Sequence, residues 1–255
     1  MAENTIVIKK ILPPEIADTI ADFCESMVLI HTRNILSIAV YGSAVSQNYI
    51  HKRSNINIIC IFKEIGFDTL SKSLKIIKHG RKKHIAAPLF VTLDYIKSSL
   101  DTFPIEFLEI ISNHRTVYGK EILNTLQVPL ENLRLQCEQH IKGFLVRLRQ
   151  TYLENGTNKR LLVAIMRETF SNIFPIFRSL LRLSGEEIPP SHEDMVIKIT
   201  SVFQFDGQVF LDIHRDRKGT DKILWKEINL IYKEYLHQLE ALAEKIDRMK
   251  IEGHI

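Results

Sequence analysis

The residues best placed to do chemistry lie between Leu36 and Phe62. Gly42 and Ser43 follow a short apolar run, Leu36–Tyr41. Eleven residues later Asn55 and Asn57 open onto a second run, Ile56–Phe62, rich in isoleucine. Each apolar run reads as a buried strand. A glycine at the joint lets the backbone turn tightly and lets a ligand come close. Ser43–Ile50 can carry a short helix, and a helix starting there points N–H groups outward, where a phosphate is favoured. Asn55 and Asn57 are two apart, so along a strand they face the same side.

This pattern resembles the signature of the nucleotidyltransferase superfamily, the polymerase-beta-like fold: a hydrophobic residue, Gly, Gly or Ser, a spacer, then Asp-hydrophobic-Asp-hydrophobic. Gly42-Ser43 and Asn55-Ile56-Asn57-Ile58 fall on it. The resemblance implies that Gly42 and Ser43 hold the triphosphate of an NTP. It implies that positions 55 and 57 bind two Mg²⁺ ions, which activate the acceptor hydroxyl and neutralise the leaving pyrophosphate. Both positions are Asn here. An amide oxygen can ligate Mg²⁺ but brings no charge, and a hard cation that resists dehydration gains little from it. The expectation is therefore a degenerate member that keeps at most nucleotide binding and acts as a binding or regulatory module. The alternative is an active enzyme moving a nucleotidyl group from an NTP to a small-molecule, protein or RNA acceptor, with a single metal. The resemblance also implies a third carboxylate on a later strand. Phe103–Ile110 reads as that strand, entered by a proline, with Glu106 as the candidate beside Leu108 and Glu109 on the other face.

The elements that must position these residues can be read on either side. Pro13-Pro14 opens a helix over Glu15–Ile30, whose apolar residues recur at threes and fours. Gly66–Gly80 reads as a helix with Phe67, Leu70, Leu74 and Ile77 on one face. Its opposite face and the next loop hold Lys72, Lys75, Lys78, Arg81, Lys82 and Lys83 with no acid among them. This is the most basic stretch of the chain, either a solvated face or a surface for phosphate or RNA. Pro88–Thr92 and Arg115–Tyr118 read as further short strands, with one or two helical turns over Leu93–Leu100.

From Val128 helix period dominates. Pro129 and Leu130 mark the expected boundary between a nucleotidyltransferase-like domain, 1–128, and a helical domain, 129–255. The fold class is α+β: a mixed-sheet domain followed by an all-α bundle. Expected helices are Glu131–Leu153, a second to Leu183 kinked at Pro175, a third from Ser191 to Phe203, a short one before Gly219, and Asp221–Lys250. The pairing resembles kanamycin nucleotidyltransferases and the helical domains of HEPN type. Arg134 and His140 have the count of a HEPN ribonuclease pair, but six helical residues turn them about 240° apart.

Composition adds bounds. The chain has 255 residues, 45% hydrophobic and 25% charged, with a net charge of +4. That argues against disorder and permits a nucleotide or RNA partner without requiring one. Cys24, Cys60 and Cys137 have no metal spacing and fit a reduced compartment. No apolar run approaches a membrane span. Cytoplasm is the expected location, with an NTP and a protein or RNA as partners, no membrane, and homodimer formation left open.

Overall fold

The computed structural model describes residues 8, 11–45, 55–219 and 227–250. The chain divides into two compact units, Met1–Gln127 and Val128–Ile255. The first contains α1 (Pro14–His31), β1 (Ile35–Tyr41), a 3-10 turn (Gly42–Val45), β2 (Asn57–Phe62) and α2 (Phe67–Arg81). β3 (Leu89–Thr92), α3 (Leu93–Ser99), α4 (Pro104–Ser112) and β4 (His114–Gly119) follow. The sheet order is β3-β2-β1-β4. β1 runs antiparallel to both β2 and β4, whereas β2 and β3 are parallel. A parallel pair needs a long crossover, and α2 supplies it.

Alternation along β1 and β2 sends Ile38, Val40, Ile58, Cys60 and Phe62 into one core with Ile16, Ile20, Phe23 and Met27 of α1. The intervening Ala39, Ile59 and Ile61 are buried as well. Both faces of these central strands are thus covered, which is why the sequence reads as unbroken apolar runs. Cys24 and Cys60 are buried in this core, and burial pushes the Cys24 thiol up to about 12.

Three local expectations change. Phe103–Ile110 is not a strand: residues 104–112 form α4, with Pro104 in its first turn. Proline lacks the N–H that a strand needs but that the first helical turn leaves unused. Ile105, Phe107, Leu108 and Ile110 are all buried, a helical rather than an alternating pattern. The expected helix Ser43–Ile50 begins as the 3-10 turn Gly42–Val45, and its remainder lies outside the described residues. Helix α2 also turns a different face inward. Thr69, Ser73 and Gly80 are buried, while Phe67, Leu70 and Leu74 are exposed.

The described elements of the second unit from residue 130 on are helices: α5 (Leu130–Asn155), α6 (Lys159–Asn172), α7 (Phe174–Leu183), α8 (His192–Phe203), α9 (Gln208–Lys218) and α10 (Ile228–Asp247). The break between α6 and α7 falls at Ile173, where Pro175 cannot continue the hydrogen-bond ladder. α10 packs along α5. The Tyr232 hydroxyl donates to the Leu148 carbonyl at 2.7 Å, and Tyr235 meets Thr169 Oγ1 at 3.1 Å. A mixed sheet followed in the chain by a helical unit is the α+β arrangement the resemblance implies.

Candidate functional site

The site is built on the end of β1. Tyr41 is the last strand residue, and Gly42 turns the chain with φ at +76°. An L side chain strains there, so glycine is the residue the turn requires. The Gly42 N–H donates to the Asn113 carbonyl at 2.9 Å, tying the turn to the segment between α4 and β4. Ala44, fully buried, anchors the 3-10 turn in the core, and Ser43 stays partly exposed beside it. A 3-10 turn leaves its leading N–H groups without partners inside the turn.

β2 brings Asn57 to this turn. Its strand position is opposite Tyr41, and a Cβ added to Gly42 would come within 3.4 Å of Asn57 Nδ2. The amide of Asn57 therefore lies against the bare backbone of Gly42. Asn55 is exposed just before the strand. Ile56, between them, points into the core and is held in extended form by His84 and Ala86: its N–H donates to His84 O at 2.9 Å, and its carbonyl accepts from Ala86 N–H at 3.0 Å. With Ile56 and Ile58 turned inward, Asn55 and Asn57 fall on the opposite side together. Gly42, Ser43 and Asn57 are thus brought to one end of the sheet.

Glu106 is placed differently from the expectation. It stands exposed in the first turn of α4 and not on a strand face next to Leu108. The strand beside β1 is β4, and its residue opposite Tyr41 is His114. Directly opposed residues share a face, so Asn57, Tyr41 and His114 form one row across three strands, roughly 10 Å from end to end. Burial raises the Tyr41 phenol above its ordinary value. His114 is buried, with Nδ1 2.8 Å from the Ile111 carbonyl and Nε2 2.9 Å from Glu121 Oε1. Burial alone would raise the Glu121 carboxyl, but the hydrogen bond to His114 and the attraction of that ring hold it below the usual range. Sequence reading missed His114 and Glu121 as neighbours of the turn. The pairing of β4 with β1 brings His114 there, and its contact with Glu121 brings the carboxylate.

Mg²⁺ is the ion the resemblance implies, and the donor set does not suit it. Two neutral amides stand where carboxylates are expected. Among the described residues no three His, Cys, Asp or Glu side chains gather to hold a metal ion. Without negative charge the dehydration of a hard divalent cation is not offset.

Other sequence candidates have structural partners of their own. Around α2, Lys83 pairs with Asp22 of α1 at 2.9 Å and Lys72 with Asp68 at 3.1 Å, so acids reach the basic stretch from outside the loop. A cavity of about 270 Å³ opens here, with Asp22, Ser26, Lys75, His79 and Lys83 around a floor of Phe23 and Gly80. In the helical unit Arg134 is committed to structure: it donates to Glu138 at 2.8 Å and to the Ile246 carbonyl at 3.2 Å. Lys142 is the second partner of Glu138, and this hydrogen bond is the main cause of the lowered Glu138 carboxyl.

Among solved structures, the chain is similar to an adenyltransferase. The crystal structure of spectinomycin adenyltransferase AAD(9) from Enterococcus faecialis, with ATP and spectinomycin, is similar over 86% of this chain and 98% of that chain. Sequence identity is 10% and the TM-score is 0.46. No family model and no curated protein matches the chain.

Proposed function

We propose that this protein is a nucleotidyltransferase-like nucleotide-binding module that has lost two-metal catalysis and serves as a binding or regulatory component. The single observation that carries the reading is the placement of the Asn57 amide against the positive-φ turn at Gly42, at the end of two adjacent central strands. Glycine at the apex of the turn carries no side chain, so a phosphate chain can approach the half-buried Gly42 and Ser43 closely. Asn57 adds a neutral amide that can hydrogen-bond a phosphate oxygen or a sugar hydroxyl. Asn55, exposed one strand step earlier, extends the same side. Such a site favours an NTP bound without a tightly held divalent ion. An acceptor hydroxyl arriving here meets no metal-bound activation, which separates the reading from that of an active transferase.

Restoring the charge tests the site. In the Asn55→Asp/Asn57→Asp double variant, two carboxylates face one side of β2, and Mg²⁺ affinity should rise by at least about tenfold, as expected when a neutral oxygen site gains two charges. Calorimetric titration of the variant and the parent protein with Mg²⁺ reads this directly. Equal, weak affinity in both would mean that positions 55 and 57 do not converge on one ion.

A further inference from the structure

Helix α2 sets three large apolar side chains toward solvent, while Ile76 and a set of small residues face inward. Phe67 is 83% exposed, Leu74 64% and Leu70 45%. Facing the core are Thr69, Ser73 and Gly80. These small side chains let α2 sit close on α1: His31 Nε2 meets Ser73 Oγ at 2.9 Å, and a Cβ added at Gly80 would touch Ile85 at 3.4 Å and Phe23 at 3.5 Å. The outward stripe runs Phe67, Leu70, Leu74 and then, at the same three-and-four spacing, Lys78 and Arg81. Lys75 and Lys82 are also exposed, and the one acid of the helix, Asp68, is already paired with Lys72. α1 runs antiparallel to α2, since Asp22 meets Lys83 and His31 meets Ser73. Its C-terminal end therefore lies beside the start of α2, where Leu29 (76% exposed) and Ile30 (43%) add apolar surface.

We propose that α2 is a membrane-surface helix, docking its Phe67–Leu70–Leu74 ridge into the headgroup region of an anionic bilayer while Lys75, Lys78, Arg81 and Lys82 meet lipid phosphates. No described helix is long and apolar enough to cross a membrane, so the contact is with the surface. Two features favour lipid over a protein groove. The apolar residues form a convex ridge, which a deformable bilayer accepts without a matching groove. Lys78 and Arg81 continue the ridge, with Lys75 and Lys82 beside its end, on long stems able to reach phosphates as the apolar side chains sink. The surplus of positive charge complements an anionic leaflet.

Co-sedimentation of the full chain with two kinds of vesicle tests this. One is phosphatidylcholine alone and the other contains about 30% phosphatidylserine, a strongly anionic surface. The protein should pellet with the anionic vesicles only. Two separate variants, Phe67→Ser/Leu74→Ser and Lys78→Glu/Arg81→Glu, should each lose at least about tenfold in partition. All four positions are exposed, so both variants should keep the parent's far-ultraviolet circular dichroism and melting. Failure to pellet with anionic vesicles, or undiminished pelleting of the apolar variant, overturns the proposal. So does a vesicle-free dimer, seen by light scattering, that the apolar variant converts to monomer: the ridge would then meet a second copy of the chain.

Discussion

Gly42 concentrates the residue-scale logic of the proposed site. Its φ of +76° belongs to glycine, and its missing side chain leaves room for the Asn57 amide. Valine at this position would face a left-handed backbone, which costs an L residue about 1–2 kcal/mol. It would also push its branches toward Asn57. Gly42→Val should therefore weaken ATP binding by at least about tenfold and lower the melting temperature by a few degrees without unfolding the sheet. Calorimetry and circular dichroism separate the two effects. Binding as tight as the parent's would move the ligand away from the turn. Much of this was legible in sequence, because Gly-Ser after an apolar run and two Asn at strand spacing survive as linear patterns. Glu106 was not, since Phe103–Ile110 offers apolar residues at spacings that suit either period, and a proline can open a strand as well as a helix. His114 and Glu121 carry no local signal: they reach the site through strand pairing and a side-chain contact.

For elements, α2 shows how packing overrides an apolar pattern. A stripe of Phe67, Leu70, Leu74 and Ile77 invites an inward reading. Yet the helix buries its small residues, because close approach to α1 and to Ile85 contributes more than inserting bulky side chains where backbone already fills the space. Gly80 is the narrow point. Alanine there meets ordinary van der Waals contact and gains helix propensity of up to about 1 kcal/mol, so Gly80→Ala should hold or slightly raise stability. Gly80→Leu must displace Phe23 or Ile85 and should cost about 1–3 kcal/mol by overpacking. Urea unfolding of the pair measures the difference. A leucine variant as stable as the alanine variant would show that α2 can shift away from α1 freely. The strands, by contrast, were readable because burial on both faces leaves no alternation to misjudge, and the α6–α7 break because proline marks it chemically.

Across the whole molecule, charge and burial set a pH response that no single motif announces. Desolvation lowers the pKa of His31 and His214, which are buried, and of His192, an exposed residue whose ring is covered on one face by Phe174; neighbouring cations lower all three further. Lys72 acts on His31, Arg178, Arg217 and Lys218 surround His192, and Lys218 with Arg217 outweighs Glu193 at His214. His192 is also stacked on Phe174 at 3.8 Å, with the His214 ring 6.2 Å away. A lowered histidine pKa means that the unfolded chain binds the extra protons. The stability from these rings is complete above about 6.5 and is lost as pH falls below it, through the folded values. Thermal melts from about pH 8 to pH 5 should hold steady down to about 6.5 and then decline. A midpoint unchanged across that range would contradict imidazoles held neutral in the folded chain. The division into a mixed-sheet unit and a helical unit needs no chemistry at all: it follows from the change of hydrophobic period near Val128.

The measurement closest to the central claim is calorimetric titration of the unaltered protein with ATP, with and without Mg²⁺. Binding carried by the Gly42 turn and the Asn57 amide should be present in both titrations and of similar strength, because no carboxylate pair stands at positions 55 and 57 to hold a metal. Binding that appears only with Mg²⁺ would contradict the loss of the metal site, and no binding in either would contradict a nucleotide role for the turn.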